Sequence, residues 1–297
     1  MTMTKQYERF NSATFILLIS ALAFGACDDP DEYVEDAELA EQDVEEADAE
    51  DAEEADAGAA DAIDGLTQAA RPAAAKFPCR LLALGDSITY GWNGNWQQQS
   101  DPSGNYLGGF RPHLVWGFQL FPSATVGPVQ MVGIRQDNSP PWLVNWGQSW
   151  HAGAPGFTNK QLADAVVAGA TNFNPDIILL HAGTNDIISG PAPKVSRAIG
   201  DLYVLLEKLR IRHPYTKILL AKIIPVAGPL NADVTAYNAQ LDAVAANVRS
   251  IGQSVWTVDH NTNFPVATLE DGVHPNQTGY VNMAGRWRAA LDAHGCW

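Results

Sequence analysis

Basic residues are scarce in this chain of 297 residues: 18 Lys and Arg stand against 34 Asp and Glu, a formal net charge of -16. Nucleic acid is therefore not expected as a partner, because phosphate recognition needs clustered Lys and Arg. Cysteine is scarce too, with three in all. No C-x-x-C, H-E-x-x-H or G-x-x-x-x-G-K-[ST] occurs, so neither a metal nor any other cofactor is expected. The N-terminal apolar run, Ala13 to Ala26, has 14 residues. A spanning helix needs about 20.

What is present is unevenly placed. Residues 28–75 hold 19 of the acids and a single base, Arg71, whereas residues 76–297 hold 15 bases and 14 acids. The negative charge thus belongs to one segment. In residues 1–27, Lys5 and Arg9 precede the apolar run and small residues close it, the pattern of a secretory signal peptide. The run ends in Phe24-Gly25-Ala26-Cys27, which resembles a bacterial lipobox with Phe24 where Leu is usual. The resemblance implies acylation of Cys27, hence an exported protein anchored to the membrane rather than spanning it. Residues 28–75 are almost wholly Asp, Glu and Ala. Like charges at this density repel, and little apolar area offsets the entropy of ordering, so a disordered tether is expected.

Residues 76–297 are enough for one substantial domain, expected to be monomeric. Cys79 and Cys296 lie near its two ends. In an exported protein such a pair suggests a disulfide. Apolar runs at 80–85, 129–134, 177–180, 217–224 and 255–258 read as buried strands. Between and after them, segments 110–120, 159–169, 193–213, 233–249 and 276–293 have helical spacing. Strands alternating with helices predict a parallel sheet covered on both faces, an α/β fold. Sites in such sheets lie beyond the C-terminal strand ends, near a topological switch point.

Four short blocks occupy those places: Gly85-Asp86-Ser87-Ile88-Thr89, Gly153-Ala154-Pro155-Gly156, Gly183-Thr184-Asn185-Asp186 and Asp271-Gly272-Val273-His274-Pro275. They supply a hydroxyl, amide donors, an imidazole and a carboxylate, the parts that acyl transfer requires. Ser87 would be the nucleophile. His274 would be its base, since imidazole titrates near neutral pH. Asp271, three residues earlier, would hold the far ring nitrogen. Asp186 is expected to cap the following turn rather than react, and the Asp259-His260 pair to be structural. G-x-S-x-G is absent around Ser87, which argues against the strained elbow of α/β-hydrolases.

All four blocks, in this order, resemble those of SGNH hydrolases of the GDSL esterase/lipase group. The resemblance implies a three-layer α/β/α fold with a five-stranded, flavodoxin-like parallel sheet. It also implies an oxyanion hole made by the backbone N–H of Ser87, the backbone N–H of Gly156 and the side-chain amide of Asn185. Gly153 competes with Gly156 for the second position. GDSITYGW at 85–92, GGFRPHL at 108–114, HAGAPGFT at 151–158 and DGVHPNQTGY at 271–280 resemble carbohydrate esterase family 3 acetylxylan esterases. That implies an acetylated polysaccharide as substrate, with Arg111 helping to shape the site and contacting the substrate. Trp92, Trp96, Trp142, Trp146 and Trp150 lie in Gly-, Asn- and Gln-rich loops. Such tryptophans suit sugar rings, and Trp92 and Trp150 are expected to touch the substrate. An esterase or lysophospholipase acting on acyl lipids, and a carbohydrate-binding protein without turnover, are the other readings.

Overall fold

The computed structural model describes residues 78–94 and 107–296. The expected signal peptide, acylated Cys27, acidic tether and Trp96 lie outside these residues.

Each apolar run becomes a strand because both of its faces are covered. The strands are β1 (Cys79–Gly85), β2 (Val129–Val132), β3 (Ala152–Gly153), β4 (Ile177–His181), β5 (Lys217–Lys222) and β6 (Val255–Asp259). All neighbouring pairs are parallel. The order is β2-β1-β4-β5-β6, with β3 paired to the end of β1. Alternate residues along the strands feed two cores. Leu82, Leu84, Ile178, Leu180, Ile218 and Leu220 face α4 (Asn159–Val167), α6 (Lys194–Arg212) and α8 (Leu241–Ser250). Leu81, Ala83, Ile177, Leu179, Leu219 and Ala221 face α2 (Phe110–Leu120) and α9 (Gln277–His294). Short helices α1 (Ser87–Tyr90), α3 (Pro141–Asn145), α5 (Thr184–Ser189) and α7 (Asn231–Asn238) complete the layers.

The sheet has six strands, one more than expected. β2 pairs with β1 only over Cys79–Leu82. β3 then fills the same edge, Leu84 opposite Ala152 and Gly85 opposite Gly153. It thus continues β2, and a segment of two residues carries no periodicity to detect. The helix expected over 233–249 is two helices, broken after Asn238. The Asn238 side chain accepts from Ile223 N at 2.8 Å and donates to Ile223 O at 2.8 Å, which pins the break to the sheet. Cys79 and Cys296 form a disulfide with Cα atoms 5.9 Å apart, tying the first strand to the end of the last helix. No helix among the described residues is long and apolar enough to cross a membrane.

Candidate active site

The sheet register sets three chain segments abreast. Gly85 lies opposite both Gly153 and His181. A side chain at Gly85 would meet His181 O at 2.1 Å, so only glycine lets these strand ends close up. From here the chain leads within four residues to Ser87, Gly156 and Asn185. The order reverses between β1 and β4, the switch point where such folds place ligands.

Ser87 opens α1, and Asp86 caps it by accepting from Ile88 N at 2.9 Å. Ser87 Oγ lies 2.8 Å from His274 Nε2. His274 Nδ1 lies 2.7 Å from Asp271 Oδ2. With Nδ1–H donated to the carboxylate, Nε2 is left to accept the Ser87 hydroxyl proton. The other carboxylate oxygen accepts from His274 N at 2.8 Å and Val273 N at 3.0 Å, so one short loop holds acid and base together. Burial pushes the Asp271 carboxyl up, but the His274 hydrogen bond and charge and the two backbone donors outweigh it and hold the group at about 2. Asp271 is therefore ionised at neutral pH. The loop is anchored from outside, since Ala227 N donates to Gly272 O at 2.7 Å. Gly94 approaches so closely that a side chain there would meet the Asp271 carboxylate at 2.8 Å.

The two competing glycines are now distinguishable. Gly153 N donates to His151 Nδ1 at 3.1 Å, so its N–H is already used. Burial first, then Arg111, keeps the His151 imidazole well below its usual range, hence neutral and able to accept. Gly156 is left-handed (φ 81°), and nothing lies within 4 Å of where a side chain would start. No acceptor takes its N–H, or that of Ser87, among the described residues. Asn185 donates through Nδ2 to Phe157 O at 3.0 Å, one residue from Gly156, and its second amide hydrogen remains.

Asp186 does not cap the following turn. Its Oδ2 accepts from Asn159 N at 2.9 Å, across the chain at the start of α4. Asn185 and Asp186 thus both grip residues 157–159, just after Gly156. Burial lifts the Asp186 carboxyl to about 7, against the backbone N–H bonds and with help from Asp201 and Asp86. Asp259 accepts from Asn261 N and Thr262 N within its turn, and His260 is buried against Trp287.

Arg111 requires a correction as a substrate contact. It is fully buried. Its guanidinium donates to Tyr90 O (3.1 Å), Asn138 O (2.9 Å), Ser139 Oγ (3.1 Å) and Ser149 O (2.9 Å). It shapes the site from behind by tying α1 to residues 138–149. Trp92 is half-buried beside α1, its N–H donating to Ser87 O at 2.9 Å and its carbonyl accepting from Tyr280. Trp150 is half-buried just before β3. Trp142 and Trp146 gather elsewhere, with Trp116 of α2, which its helical spacing had hidden. Also missed were Asp86, the Asn159 anchor and His151. Of these only the Asp before a helix start carries a sequence signal. Among the described residues, the ligand atoms close enough to hold a metal belong to Cys79, Asp176 and Cys296, and the two sulfurs are committed to the disulfide.

A model of the GDSL-like lipase/acylhydrolase family matches residues 83–281. A multidomain esterase from Ruminococcus flavefaciens is 29% identical over 253 residues, 77% of this chain and 30% of that protein. The chain thus spans less than a third of that curated relative. A carbohydrate esterase family 3 protein from Talaromyces cellulolyticus superposes with a TM-score of 0.57 at 25% identity, over 72% of this chain and 96% of that one. A variant of an acetyl esterase, solved with an acetate ion, also gives 0.57, at 24% identity over 72% and 96% of the two chains. This likeness shows the fold alone.

Proposed function

The chain belongs to the GDSL-like lipase/acylhydrolase family, and on that premise we propose that it is a serine esterase that removes acetyl groups from polysaccharide. One observation carries the reading: the unbroken relay from Ser87 Oγ to His274 Nε2 at 2.8 Å and from His274 Nδ1 to Asp271 Oδ2 at 2.7 Å. In the first step Ser87 Oγ attacks the acetyl carbonyl carbon and its proton passes to His274 Nε2. The Asp271 carboxylate stabilises the resulting imidazolium. The oxyanion is held by Ser87 N–H, Gly156 N–H and Asn185 Nδ2–H. Collapse breaks the C–O bond to the sugar, and His274 returns its proton to the leaving hydroxyl. Water, deprotonated by His274, then attacks the acetyl-enzyme and releases acetate with Ser87 restored.

The acetyl and sugar parts of the reading are supported by the family 3 resemblance of the four blocks and by the neighbour at 25% identity. The near-neutral charge of residues 76–297 suits an uncharged polymer. The N-terminal features suit an exported chain held at an envelope surface by Cys27 and spaced from it by residues 28–75. The test compares acetate release from acetylated xylan with fatty-acid release from a lysophospholipid, with Ser87→Ala as control. Acetate release that the variant lacks supports the reading. Preference for the lipid overturns the substrate, and turnover surviving in the variant overturns the nucleophile.

A further inference from the structure

Trp116, Trp142 and Trp146 form a cluster that no part of the acyl-transfer mechanism uses. The Trp116 and Trp146 rings lie parallel (6°) with centroids 5.7 Å apart. Trp142 stands edge-on to both, at 5.7 and 4.9 Å. Trp116 is 47% exposed and Trp146 44%. Large exposed aromatics gathered into one patch, rather than scattered singly, mark an interaction site. Trp142 is packed against the buried core, so the cluster is held rather than loose.

Beside the cluster runs a groove of about 360 Å³, lined by Leu107, Pro112, His113, Trp116, Trp142 and Gln277. It carries no charged side chain. Burial lowers the His113 imidazole below its usual range, which keeps the lining neutral at neutral pH. Neither the His113 ring nor the Gln277 amide has a hydrogen-bond partner among the described residues, so both are available to a ligand. Gln277 lies three residues beyond His274, which bounds their Cα separation at about 11 Å. One wall of the groove, Gln277, is therefore near the catalytic loop, and Trp116 and Trp142 form another.

We propose that this groove and its tryptophan cluster bind a neutral polysaccharide chain, as a second carbohydrate site next to the acyl-transfer centre. Indole faces take the apolar faces of sugar rings, and the imidazole and amide take hydroxyls. A chain held there would raise the local concentration of its acetylated units at Ser87. The proposal rests on the polysaccharide reading above. Leu120 and Phe121 extend the exposed apolar strip along α2, so a second copy of the chain is the competing occupant. The neutral, hydrogen-bonding lining and the nearness of Gln277 to the catalytic loop favour the sugar.

The test is affinity electrophoresis of the full chain in gels containing unacetylated β-1,4-xylan or glucomannan, which the esterase cannot turn over. Retardation of the native protein is expected in at least one gel. The double substitution Trp116→Ala/Trp146→Ala should weaken it at least tenfold, and Trp116→Phe should keep most of it. Thermal midpoints check folding. If the double variant unfolds, Trp146→Ala alone carries the test. Equal retardation in native and variant proteins, or no retardation in either gel, overturns the proposal. So does a native dimer by light scattering that Trp116→Ala splits. Acetate release from acetylated xylan judges the catalytic reading separately: its absence defeats that reading, while the gels still decide the groove.

Discussion

Replacing Asp186 with Asn isolates the cost of one buried carboxylate. Asp186 is 5% exposed, and burial lifts its pKa from 3.8 to about 7. Below about pH 4 the carboxyl is protonated in folded and unfolded chains alike, so it contributes no pH dependence there. Between pH 4 and 7 the unfolded chain releases its proton and the folded chain retains it. More protons are then bound in the native state, and stability falls as pH rises. About three pK units correspond to roughly 4 kcal/mol, all of it lost by pH 8. Asp186→Asn has no proton to release, and its amide oxygen can still accept from Asn159 N. Denaturant unfolding of both proteins from pH 4 to pH 8 is the assay. The native protein should lose roughly 4 kcal/mol more than the variant across that range; other titrating groups cancel in the difference. Unfolding free energies that run parallel would refute the burial argument.

On the proposed oxyanion role of its amide, Asn185→Ala should lower kcat by roughly 10²–10³ with a small change in KM; steady-state hydrolysis of p-nitrophenyl acetate checks it. Gly156→Ala forces a methyl group into a left-handed backbone (φ 81°) and should cost about 1–2 kcal/mol, together with turnover. Calorimetry and the same assay read both effects. Replacing Cys79 and Cys296 with Ala opens a loop of 217 residues and should cost roughly 5 kcal/mol on the chain-entropy account. Denaturant midpoints of the oxidised protein and the double variant measure it.

The sheet was legible because its strands are buried on both faces. Ile177-Ile178-Leu179-Leu180 has nowhere else to go, and Gly85 and Pro225 stop two of the other runs. The meeting of Ser87 and His274 was legible because sites in such sheets gather beyond the strand ends. What stayed hidden is what depends on a partner far along the chain. β3 exists because β1 outlasts β2, which neither segment reveals alone. Asp186 looks like a local cap, and only the packing of α4 beside α5 gives it Asn159 instead. Gly153 and Gly156 are indistinguishable as letters. His151, two residues from one of them, takes that N–H and leaves the other free. Trp116 reads as one more residue of an amphipathic helix until α3 delivers Trp142 and Trp146 beside it.

Arg111 shows how the same residue predicts different experiments from inside and outside the protein. A surface arginine contacting substrate would change KM for the polymer and leave stability alone. This guanidinium instead spends its donors on four oxygens from three segments: Tyr90 at the end of the helix that carries Ser87, Asn138 with Ser139, and Ser149. A planar fork can serve all of them, whereas the single ammonium of lysine cannot. Arg111→Lys keeps the charge but leaves buried carbonyls unpaired, at about 1–3 kcal/mol each. Two such losses would cost about 2–6 kcal/mol and would loosen the C-terminal end of α1, where Asn138 Nδ2 still donates to Tyr90 O at 2.8 Å. The variant should therefore melt well below the native protein, with kcat reduced and KM for p-nitrophenyl acetate little changed. An unaltered melting temperature with a raised KM would put Arg111 back in contact with substrate.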